Sequence, residues 1–208
     1  MLQYVLAIVL APRKAFESLL ADRRRLAYGS RVMILVAFLC ALGILLVALG
    51  GHKPQGLKPW LSIQRNVYYY WESVFIAPVM VLGWILAAGV IQSLARCAGS
   101  KGSFEDVLAL LGYGIAVPTI VILIPKFVEG FLTLTRLVDV GTMSQLAAAR
   151  QGPYGFFLWT VASLYALGLV ALVPRVVSVV HRIRGLKAFT VGIVGVVIYQ
   201  TVLFVFKR

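Results

Sequence analysis

Five long runs of apolar residues, at about 32–50, 74–94, 107–125, 154–174 and 188–206, alternate with short polar connections. Each is long enough for a helix rising about 1.5 Å per residue to cross the roughly 30 Å hydrocarbon core of a bilayer. The pattern predicts an all-α membrane bundle of five transmembrane helices over 32–206, since a chain that leaves water must satisfy its backbone groups within each helix. Residues 1–31 form a separate N-terminal segment. Within it, Pro12 takes a first-turn position and Phe16, Leu19 and Leu20 recur at helical spacing, so 11–28 is expected to be an amphipathic helix on the inner membrane surface. Its apolar face either enters the acyl boundary or packs on the bundle end. Met1 to Leu10 is apolar but has no basic leader, and Pro12, Arg13 and Lys14 stand where a cleavage site would carry small residues. The segment is expected to be retained.

The connections read as follows. Residues 51–73 carry His52, Lys53, Pro54, Lys58 and Pro59, then Tyr68, Tyr69, Tyr70 and Trp71, rings that belong at headgroup level as interfacial anchors. Gly152, Pro153, Tyr154 and Trp159 open the fourth span in the same way. Pro125 is expected to close the third span. After it, Phe127, Phe131, Leu134 and Val138 fall at helical intervals, which predicts a short surface helix within 126–152 whose Lys126, Glu129, Arg136 and Asp139 are solvated or paired along the helix. His52 and His181 are expected to be solvated, and Cys40 and Cys97 are placed too differently to pair with one another.

The net charge of +13 alters the picture only through its distribution. The basic residues flank apolar spans instead of lining one soluble face, so anionic lipid headgroups are the expected partner and nucleic acid is not. Arg13, Lys14, Arg23, Arg24 and Arg25 are the candidate contacts, each worth about 1 kcal/mol near an anionic surface. The larger share of Lys and Arg lies on the side of the N-terminus, which places that terminus inside and the C-terminus outside.

Candidate chemistry is sparse. No ionisable residue falls near the middle of a span, and the stronger polar groups there are Gln92, Tyr113, Ser163, Tyr165, Tyr199 and Gln200. Neither a Ser and His pair nor two aspartates stand at span depth, and two distant histidines make no metal site, so no catalytic residue, cofactor or metal is expected. Gly83 with Ala87, Ala162 with Ala166, and Gly192 with Gly195 are candidate positions for close helix contact, within the chain or with another subunit. Pro78, Pro118 and Pro174 interrupt spans. The carbonyl freed by Pro118 has Thr119 and Tyr113 as nearby candidates to satisfy it.

One turn carries more information. Ser103 can cap the third span, with Asp106 in the position of a capping-box acid and Glu105 beside it at the positive end of the helix dipole. This turn, running from Gly102, Ser103 and Phe104 through Gly112 and Tyr113 to Pro118, resembles that of bacterial members of the Yip1 domain family. Pro12 to Phe16, and Gly185 to Ala188 opening the last span, are similar to the family as well. The resemblance implies five spans, an inside N-terminus, an outside C-terminus and the role of a membrane adaptor, the eukaryotic members being associated with Rab-type GTPases and vesicle traffic. It brings no catalytic residues. The resulting expectation is a non-enzymatic protein of the bacterial cytoplasmic membrane that binds another membrane protein or itself. The alternative is a small permease or lipid-handling protein, with Tyr113 and the proline-broken third span lining a path.

Overall fold

The structure, a computed structural model, describes residues 2–52, 63–100, 102–142 and 152–207. Residues 53–62 of the first connection, Lys101 and residues 143–151 lie outside the described residues. The helices whose bounds lie within the described residues follow in order: α1 Leu2–Leu10, α2 Pro12–Ala21, α3 Arg25–Leu49, α4 Tyr68–Cys97, α5 Phe104–Leu134, α6 Gly152–His181 and α7 Leu186–Lys207. Five of them, α3 to α7, are long and apolar enough to cross a membrane. Each contains one of the apolar runs and extends past it, because the helices carry on through polar residues at their ends.

Two expectations need correction. The surface helix within 126–152 does not form at its start, since Lys126, Phe127, Phe131 and Leu134 belong to α5, which runs straight through Pro125. A proline removes one backbone hydrogen bond, and burial of Pro125 and Gly130 against neighbouring helices holds the rest of the helix together. Val138 lies in the turn beyond α5. The helix over 11–28 ends at Ala21, where Asp22 to Arg24 break the chain direction before α3 begins. The side chain of Asp22 accepts from the Arg24 amide at 2.8 Å, the local bond with which a short acid competes against helix.

The spans close into a ring in the order α3, α4, α7, α6, α5, with α4 also touching α5 across it. The tightest seam joins α3 and α5. A methyl group on Gly29 would run into the backbone of Ala109, one on Gly112 would stand 2.6 Å from the Gly29 carbonyl oxygen, and one on Gly130 would stand 2.8 Å from the Leu46 Cβ. Bare backbone at these positions lets the two helices touch along their length. The ends of the bundle differ. One end, here the basic end, carries α2, the α4–α5 turn and the α6–α7 turn; the other, the aromatic end, carries Tyr68 to Trp71.

Segments α1 and α2 cap the basic end. Ile8, Phe16 and Leu19 are fully buried, so the apolar face of α2 packs on the bundle and chiefly on α6. Leu6, Val9 and Leu10 of α1 remain exposed, a surface suited to the acyl boundary. Tyr4 stands edge-on to Tyr113, ring centroids 6.2 Å apart, and donates to the Asp22 carboxylate at 3.2 Å. Burial, and then that carboxylate, push the Tyr4 pKa up.

Candidate functional site

At the basic end, the turn between α4 and α5 is tied to the end of α6. Ser103 accepts from the Asp106 amide at 3.1 Å as the cap of α5. Asp106 does not reciprocate as a capping-box acid; its carboxylate takes the Arg25 guanidinium and so joins α5 to the start of α3. Gln92 donates to the Gly102 carbonyl at 2.7 Å, and the Ser100 hydroxyl meets His181 Nδ1 at 2.7 Å while accepting from the Gly102 amide at 3.2 Å. Gly102 must be a glycine because a Cβ there would strike the His181 ring. Phe104 is partly exposed beside it.

His181 is therefore not solvated but 5% exposed, and His52 likewise is 8% exposed. Both were expected in water because their sequence neighbours are polar; the folded helix ends enclose them. A serine and a histidine in contact invite comparison with a nucleophile and its base. In a hydrolytic triad the far ring nitrogen meets an acid. Here His181 Nε2 is buried with no hydrogen-bond partner among the described residues and Ser100 Oγ already serves the turn, an arrangement that fastens α6 to α5.

The second feature is a cavity of about 500 Å³ lined by all five spans. Ligand sites in general occupy roughly 300–1,000 Å³ and are mostly apolar with a few placed polar groups. Cys40 and Ile44 of α3, Ile76 and Met80 of α4, and Val196, Leu203 and Phe204 of α7 form much of the wall. Ile44, Ile76 and Phe204 lie in the aromatic half of the bundle; in the basic half, Trp84 donates to the Leu108 carbonyl at 3.0 Å and draws α4 onto α5. Polar side chains from α5, α6 and α7 interrupt the apolar wall. Gln200 donates to the Tyr165 hydroxyl at 2.7 Å, Thr119 donates to the Ile115 carbonyl at 2.7 Å, and the Tyr199 hydroxyl is buried with no hydrogen-bond partner among the described residues. Lys126 and Thr201 line the cavity as well. Thr119 thus binds the carbonyl next to the one that Pro118 frees, and Tyr113, fully buried under α1, takes no part in lining the cavity.

The remaining candidate residues divide. Gly83 packs on the Tyr199 ring, Gly192 on Pro174, and Gly195 on Ile91 beside the backbone of Ala87, so these four seat α7 in the ring. Pro118 receives Gly168 of α6. Ala162 and Ala166 instead face outward on α6 together with Trp159, Ser163, Leu167 and Val170. Of the basic candidates, Arg13, Lys14, Arg23 and Arg24 are exposed and Arg25 is held by Asp106. Arg13, in an ion pair with Glu17 at 2.9 Å, lines a second hollow of about 340 Å³ with Arg182 and Arg184 from beyond α6. Among the described residues, no group of three or more His, Cys, Asp or Glu is arranged to hold a metal ion.

A family model, the Yip1 domain, matches residues 6–206. The chain belongs to the Yip1 domain family. The match begins within α1 and runs through α2 and the five spans. This Yip1 chain is an integral membrane protein by the length and hydropathy of α3 to α7. No curated protein and no solved structure matches it.

Proposed function

We propose that this Yip1 protein is a non-enzymatic membrane adaptor that holds a membrane-spanning helix of another protein, or of a second copy, against the outward face of α6. The observation that carries the reading is the separate fate of the small-residue pairs. Gly83, Ala87, Gly192 and Gly195 are used inside the ring, whereas Ala162, Ser163 and Ala166 form a strip of low relief that the described residues of their own chain leave uncovered. In lipid, such strips favour helix association because they permit close approach and a hydroxyl can bond across the contact. The reading places the basic end on the cytoplasmic side of a bacterial cytoplasmic membrane, where Arg13, Arg182 and Arg184 meet anionic headgroups.

Photo-crosslinking residues placed at positions 162 and 166 test it, with position 34 as a control because Ile34 is outward-facing on α3. The expected result is one discrete crosslinked species from α6 and none from α3, lost when Ala162 and Ala166 are both changed to Leu. The same scatter of adducts from all three positions would overturn the adaptor. A second reading, lipid handling, is favoured by the five-helix cavity, and solute flux or lipid transfer by purified protein in liposomes would support it over the first.

A further inference from the structure

A cation inside a membrane-spanning helix is costly and is usually matched by a partner. Lys126 is such a residue. At the aromatic end Gly50, which ends α3, lies against Thr133, and Lys126 stands about 10 Å deeper along α5 at roughly 1.5 Å per residue. The sequence placed it in a connection because Pro125 reads as the end of the span. Its nearest carboxylate along the helix, Glu129, is turned instead to His52 Nδ1 at 3.3 Å. Glu72 at this end is buried, 6% exposed. Among the described residues, no carboxylate is within ion-pair distance of Lys126. The lysine lines the cavity together with Tyr165, Tyr199 and Gln200.

We propose that this cavity binds one amphiphile with a single anionic headgroup, a carboxylate or a phosphate, which pairs with Lys126 while its hydrocarbon chain runs inward between Met80 and Val196 toward Tyr199. The charge of Lys126 selects the headgroup, and the apolar walls accept the chain. A lipid of the adjacent leaflet meets both demands, since its headgroup lies near the membrane surface and its chain points to the bilayer centre. This inference is independent of the α6 surface and stands or falls without it.

The test is equilibrium binding to the full chain in neutral detergent, using labelled hexadecanoate, a single-chain phosphatidylglycerol, and hexadecanol as the uncharged counterpart. One anionic amphiphile per chain is expected, at least about tenfold tighter than the alcohol, which corresponds to about 1.4 kcal/mol. Lys126→Met should lower the anion to the affinity of the alcohol and leave the alcohol unchanged, while Lys126→Arg retains the preference. Whichever anion binds more tightly names the source, free fatty acid or phospholipid. Equal binding of anion and alcohol by the unaltered chain would overturn the proposal, as would full displacement by inorganic phosphate or an unchanged preference in Lys126→Met. Should Lys126→Met fail to fold, the anion and alcohol comparison on the unaltered chain still decides. Crosslinking from position 162 in Lys126→Arg separates failure of this site from failure of the adaptor reading.

Discussion

Single atoms decide the packing of this bundle at its glycines. Gly29→Ala forces a methyl group into the Ala109 backbone, which cannot yield as a flexible side chain would, so a loss at the upper end of the roughly 1–3 kcal/mol typical of overpacking is expected. Gly89→Ala, on α4 with nothing within 4 Å of the new methyl, should leave the thermal midpoint in detergent unchanged or slightly raised. Equal effects of the two changes would refute the account of the α3–α5 seam. The polar residues are decided with equal locality. Ser103→Ala removes the cap of α5 and should cost about 0.5–2 kcal/mol. A double-mutant cycle between Arg25→Met and Asp106→Asn should return a coupling of at least about 0.5 kcal/mol, because the pair is half-buried and joins two helices. None of the three α3–α5 glycines advertises its contact in the sequence, since each meets a residue far along the chain, whereas the pairs one turn apart are visible there as pairs.

Among the elements, α2 and α6 show how a helix face is assigned. The spacing of Phe16, Leu19 and Leu20 identifies the apolar face of α2 but does not say whether lipid or protein covers it. Burial of Phe16 and Leu19 assigns that face to the bundle. Phe16→Asp should therefore lift α2: a cysteine introduced at position 19, slow to react with a maleimide in the otherwise unaltered chain, becomes fast. If its rate were unchanged, α2 would not depend on that contact. Five spans were legible because length and hydropathy suffice to mark them; the ends were not, since α4 and α6 continue through residues whose polarity is satisfied by other helix ends. Reading Pro125 as a stop concealed Lys126. A proline breaks a helix in water, where the freed carbonyl and the chain both have alternatives; inside a bundle the alternatives are worse than the break.

For the whole molecule, each helix that crosses the membrane puts the basic and aromatic ends in different compartments. Cys97 is exposed near the basic end and Cys40 is buried, so an impermeant thiol reagent should label Cys97 from one side only. Arg65→Cys in a Cys97→Ser background should then be labelled from the opposite side. Labelling of both from one side would refute the crossing of α4. The ring order carries a consequence for how the protein is made. Helix α7 is synthesised last yet sits between α4 and α6, so the first four spans stand in the membrane as an open fan with Gly83 and Ile91 facing lipid until the fifth arrives. The cavity thus receives its α7 wall last, and a chain halted before Leu186 would leave the other walls facing lipid.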